Sequence, residues 1–124
     1  AQQREAVQFH VTDLADNTLG LAQGFIILID QSAAGRGWFV DLTPDSDEEF
    51  AADGDLLTAL GNSLAAGRAD LLTVIEHELG HILGLDDLDE VENRASLMYQ
   101  SLGLGQRKTP ALAAIDAVFA EGEI

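Results

Sequence analysis

The most constraining stretch of this chain is His77-Glu78-Leu79-Gly80-His81-Ile82-Leu83-Gly84-Leu85-Asp86-Asp87, which holds two of the three histidines in 124 residues. Leu72, Ile75, Leu79 and Ile82 recur at steps of three and four, the spacing of a helix with one apolar, core-facing stripe. Asp70 suits the N-cap, so the helix is expected from there to about Leu83. His77 and His81 fall on a neighbouring face, one turn apart, with a rise of about 6 Å between them. Two imidazoles so placed reach one metal ion at Zn–N distances of ~2.0–2.1 Å. Glu78 is rotated about 100° from His77, so it can stand beside the metal as a base for a bound water instead of ligating. A catalytic zinc usually takes three protein ligands and keeps one position open. Gly84 enters the left-handed conformation at little cost and ends the helix. The chain then turns back, and Asp87 is the expected third ligand. Asp86 is its rival, and spacing separates the two only weakly.

This pattern resembles the signature of the metzincin metallopeptidases, H-E-x-x-H-x-x-G-x-x-H followed by a methionine turn. The resemblance covers His77, Glu78, His81, Gly84 and the third-ligand position, where this sequence has Asp87 in place of histidine. An aspartate there is similar to the snapalysin-like branch. Ser96-Leu97-Met98-Tyr99 looks like the methionine turn, and the wording around the site is closest to matrixin-type members. Asp70-Leu71-Leu72-Thr73-Val74 and Gly37-Trp38-Phe39-Val40-Asp41 extend the likeness to metallopeptidase-like domains of large secreted bacterial proteins. The resemblance implies an α+β fold: a small mixed twisted sheet packed on the active-site helix, with a C-terminal helix. Metzincins place a strand and a long helix ahead of the stretch that looks like Val7 to Val11, whereas six residues precede Val7 here. The first strand–helix unit is therefore expected to be missing, degenerate or supplied by upstream sequence.

Composition bounds the rest. Residues 1–124 suit a single domain, and an apolar fraction of 47% is ample for a core. Twenty-two acidic against 6 basic residues give a formal net charge of −16, which argues against nucleic acid or an anionic membrane as partner. There are no cysteines, hence neither disulfides nor thiolate zinc ligands. No signal peptide or membrane-length apolar run stands out. The first residue is Ala1, as in a piece of a longer polypeptide, and a secreted or cell-surface bacterial setting is expected.

Along the chain, Gln2 to Glu5 reads as the tail of a preceding helix. Val7, Phe9 and Val11 alternate with polar residues as in a half-buried strand. Leu19 to Ala22 suits a short strand, and Phe25 to Ile29 reads as a strand covered on both faces. Trp38 to Val40 reads as a short extended piece and Thr43 to Glu49 as an acidic loop around Pro44. Leu56 to Ala66 has helical apolar spacing interrupted by glycines, so it suits a weak helix or an irregular excursion. Leu85 to Ala95 reads as acidic loop, and Gly103 and Gly105 mark another. Thr109-Pro110 followed by Leu112, Ile115, Val118 and Phe119 predicts a helix over 110–120.

The resemblance implies one catalytic zinc held by His77, His81 and Asp87, with Glu78 as general base for hydrolysis of an extended polypeptide and Met98 in the turn beneath the metal. Tyr99 directly follows Met98, one position earlier than the transition-state tyrosine of related enzymes, so it reads as structural. The substrate is expected along a sheet edge near Phe25 to Ile29 or its neighbour. Imidazoles must be neutral to ligate, so metal affinity falls at acid pH. His10 is expected to face solvent and Trp38 to sit in the core. The Asp41 to Glu49 cluster suggests calcium, but Phe50 stands where the EF-hand loop needs glycine, so a solvated loop is the better reading. The competing function is a zinc-stabilised, non-catalytic domain of a large adhesin-like or calcium-binding repeat protein; a third is a calcium-dependent interaction module with incidental histidines. Glu78 favours the peptidase, because a purely structural site needs no base.

Overall fold

The longest apolar run of the first half, Phe25 to Ile29, supplies from Ile26 onward the central strand on which the helix packs. The computed structural model describes residues 7–43, 46–54, 56–90 and 93–108. The expected helix over 110–120 and the polar segment 2–5 lie outside the described residues. Strands β1 (Gln8–Thr12), β2 (Gly20–Gln23) and β3 (Ile26–Asp30) form a sheet in the order β1-β3-β2. β1 runs parallel to β3, with Phe9 opposite Ile27, and β2 runs antiparallel to it, with Leu21 opposite Leu28. β4 (Trp38–Phe39) pairs in parallel with β7 (Ala69–Asp70), which leads directly into helix α1 (Leu71–Ile82). β5 (Phe50–Asp53), β6 (Leu56–Ala59) and β8 (Gln106–Arg107) make a third sheet, which is antiparallel.

The architecture is α+β, with small sheets and one helix among the described residues. Ile27 and Ile29 from β3 meet Val74 from α1, and Leu71, Ile75, Leu79, Ile82 and Trp38 close around them. A second cluster joins Phe39, Phe50 and Ala65, with the Phe39 and Phe50 rings edge to face at 6.0 Å. Leu71 and Val74 join the helix's core face and Leu72 does not, because the buried stripe is centred slightly off the Leu72-Ile75-Leu79 line.

Three expectations change. β1 is a strand, but not half-buried: Phe9 is 52% and Val11 71% exposed, since β1 is an edge strand and its only extensive packing partner among the described elements is β3. Leu56 to Ala66 is neither helix nor excursion at its start. Leu56–Ala59 pairs back on Phe50–Asp53, with Asp53 opposite Leu56. The Asp53-Gly54 dipeptide was the hairpin signal, and four-residue strands are too short for their period to outweigh a helical reading. The loop marked by Gly103 and Gly105 also supplies a strand, β8, whose pairing partner lies about fifty residues upstream.

Candidate active site

Helix α1 ends in a Schellman turn, and that turn sets the site. The Gly84 N–H donates to His81 O at 3.0 Å and the Leu85 N–H to Gly80 O at 2.9 Å. Gly84 takes φ +97°, which a Cβ would oppose. The reversal carries Leu85 O back to His81, whose Nδ1 lies 2.8 Å from it. Downstream, the Leu88 N–H donates to Met98 O and the Gln100 N–H to Leu88 O, at 2.8 and 2.9 Å. Asp87 is thus held between the helix end and the Met98 turn.

The Asp87 carboxylate meets both rings: its Oδ1 is 2.9 Å from His77 Nε2 and 3.0 Å from His81 Nε2, and the two Nε2 atoms are 3.1 Å apart. Asp86 is exposed and takes no part in this contact. His77 Nδ1 lies 2.8 Å from Leu97 O, as His81 Nδ1 does from Leu85 O, so each ring spends its Nδ1–H on a carbonyl. Both Nε2 lone pairs and a carboxylate oxygen then face one point. Three acceptors at such distances repel unless a cation lies among them, and a tetrahedral zinc spaces its ligand atoms by about 3.3 Å. The donor set fits a zinc ion.

Met98 is 8% exposed and packs against α1 at Gly80. Glycine at position 80 leaves room for its thioether: a Cβ there would come 2.5 Å from the Met98 sulfur. Glu78 is 6% exposed, because it projects between the histidine face and the core face of α1. Burial pushes its carboxyl pKa up, an effect opposed by the two imidazoles and by a hydrogen bond from the Ala22 backbone in β2. One of its oxygens lies within 4.8 Å of the ring nitrogens. A cleft of about 550 Å³ runs past His77, Glu78, His81 and Asp87 and along Gly20 to Ala22 of β2.

A matrixin family model matches residues 6–119. The chain belongs to the matrixin family. The matrixins are a metzincin metallopeptidase family, as the motif implied. No curated protein and no solved structure matches the chain. Matrixins are typically secreted zinc metalloendopeptidases acting on polypeptides. No described helix is long and apolar enough to cross a membrane.

Sequence reasoning missed the device that seats α1. Asp70 occupies the N-cap position, but its side chain caps no backbone N–H. It takes a bidentate pair from Arg107 instead, Nε to Oδ2 and Nη2 to Oδ1, both at 2.8 Å. Arg107 Nη1 also reaches Asp41 at 2.9 Å and Asp47 at 3.1 Å. Burial opposes the charged form of Asp41, but the Thr43 N–H and the Arg107 guanidinium outweigh it and hold its pKa below the usual carboxylate range. The Asp41 to Glu49 segment is therefore not simply a solvated loop: two of its carboxylates serve this arginine. The run of acids was visible in the sequence; its single cationic partner, sixty residues away, was not. His10 is exposed and Trp38 packs on the core, donating its Nε1–H to Asp30 O at 2.7 Å.

Proposed function

We propose that this matrixin is a zinc-dependent endopeptidase in which His77, His81 and Asp87 hold the ion, Glu78 is the general base, and Met98 floors the site. The observation that carries this reading is the convergence of two Nε2 atoms and one carboxylate oxygen within 3.1 Å while both Nδ1 atoms are committed to carbonyls. When bound, zinc supplies an acidified water and polarises the scissile carbonyl. Glu78 accepts the proton on its carboxylate and returns it to the leaving amine. A carboxyl raised by burial suits a group that must both take and give a proton near neutrality. The substrate lies extended along β2, pairing its backbone with that strand's free edge. Phe25 to Ile29 itself is not the edge, because β3 is central; β2 is the neighbour that borders the cleft. Residues 1–124 act as one catalytic unit of a secreted polypeptide.

The decisive test combines metal analysis with Glu78→Gln. One zinc per chain and cleavage of an unstructured protein are expected, with cleavage reduced about 10²–10⁴-fold in Glu78→Gln and zinc retained. Stoichiometric zinc with no cleavage by the unsubstituted chain would instead support the zinc-stabilised, non-catalytic domain.

A further inference from the structure

We propose that Lys108 makes the cleft selective for a carboxylate on a substrate residue flanking the cleaved bond. The inference rests on the peptidase reading of the same cleft. Lys108 is 2% exposed, and it lines the cleft together with Thr73, Tyr99 and Ser101. The place of its main chain relative to the histidines follows from the helix. The Lys108 N–H donates to Thr73 Oγ1 at 3.1 Å, and Thr73 lies one helical turn, about 6 Å, before His77. An extended peptide advances ~3.3 Å per residue, so roughly two residues of substrate span that interval.

The chemistry at Nζ points to an anion. An ammonium has three N–H donors. Among the described residues, Lys108 Nζ donates to Ser101 O at 2.7 Å and stands 4.9 Å from the centroid of the Tyr99 ring. Both groups line the same cleft as Lys108, so its ammonium is buried in the cleft wall. The chain has 22 acidic residues, yet among the described ones Asp70, Asp41 and Asp47 pair with the neighbouring Arg107, and Asp30 is spent on the N–H groups of Leu14, Ser32 and Ala34. A cation kept only for packing would be matched in the same way, since burying a charge without a counter-charge is costly. Of the cleft's own acids, Glu78 and Asp87 are turned to the histidines, and Asp16 sits in the β1–β2 connection. The formal charge of −16 repels anions at long range, but screening over ~8–10 Å confines that effect. The preference therefore acts at contact.

The test uses internally quenched peptides of one sequence, with Glu, Gln, Leu or Lys placed in turn at the two residues on either side of the cleaved bond. One position is expected to favour Glu over Gln by about tenfold or more in kcat/KM, chiefly through KM. Lys108→Met should bring that ratio to near one, and Lys108→Arg should preserve it. Peptides ending two residues after the bond, as free acid or amide, separate a side-chain carboxylate from a terminal one. Equal rates for Glu and Gln and for acid and amide, with cleavage intact, overturn this inference and leave the peptidase reading standing. If no peptide is cleaved, the peptidase reading fails, and calorimetric Kd values of the Glu and Gln peptides for the zinc-loaded protein decide. A Glu preference lost in Lys108→Met upholds the carboxylate subsite, and equal Kd values overturn it. Should Lys108→Met not fold, the ratios of the unsubstituted chain and of Lys108→Arg decide alone.

Discussion

A methyl group at position 80 would have to share space with the Met98 sulfur, 2.5 Å from where its carbon would lie. Two magnitudes compete. Alanine gains about 1 kcal/mol over glycine in a helix interior, while overpacking a tight site costs about 1–3 kcal/mol. Met98 is flexible but buried, so its retreat disturbs the packing against α1. Gly80→Ala is expected to lose up to about 2 kcal/mol in urea unfolding; a higher midpoint would show that Met98 moves aside freely. The third-ligand assignment is tested beside it. Asp87→Asn should weaken zinc binding by about tenfold or more against a competing chelator, the scale at which even supporting partners of a metal act. Asp86→Asn should leave it unchanged, because only the Asp87 oxygen reaches both rings. Equal losses from both substitutions would reopen the choice.

The active-site helix is fixed at both ends by different means. Its C-terminus is fixed by local sequence: Gly84 permits the turn, and the turn delivers Leu85 O to His81. Its N-terminus is fixed from a distance, by the Arg107–Asp70 fork from β8, with Asp70 also accepting the nearby Thr73 hydroxyl at 2.7 Å. Arg107 lies 4.5 Å from the Phe50 ring centroid as well, so it ties the second cluster to α1. Removing one partner of a buried pair leaves the others uncompensated, at about 3–5 kcal/mol. Arg107→Met should lose about that much stability in chemical denaturation, with zinc affinity falling as α1 loosens. Arg107→Lys should recover only part, because an ammonium cannot make the two-pronged contact. A loss below about 1 kcal/mol for Arg107→Met would mean the network merely breaks even against packing.

At the scale of the molecule, stability should depend on pH at both extremes. The N–H groups of Ala34 and Leu14 hold the Asp30 carboxyl below its usual range. Its folded pKa is thus lower than its unfolded one, so its contribution is complete above about pH 4 and is lost as pH falls through the depressed value. Asp30→Asn should flatten the acid limb of a stability–pH curve. Lys108 works at the other end, where burial lowers its pKa to about 8. Between there and the unfolded value of ~10.4 the unfolded chain binds more protons, so stability rises with pH across that window. Urea unfolding from pH 7.5 to 10 should show the rise in the unsubstituted chain and its absence in Lys108→Met.

The metal-site motif and the helix that bears it were legible because both are local. Histidines four apart, a glycine that ends the helix and an aspartate beyond it need only 3.6 residues per turn and one left-handed residue to come together. The strands Leu19 to Ala22 and Phe25 to Ile29 were legible for the same reason. What the fold alone decided depends on residues far apart in the chain: which of two adjacent aspartates meets the rings, the hairpin whose strands are too short to reveal their period, and the arginine on β8 that gathers acids from one loop and the helix start. Local sequence specifies a turn or a repeat through sterics that act within a few residues. Pairing across sixty residues is selected by the packing of the whole chain, and no short pattern encodes it.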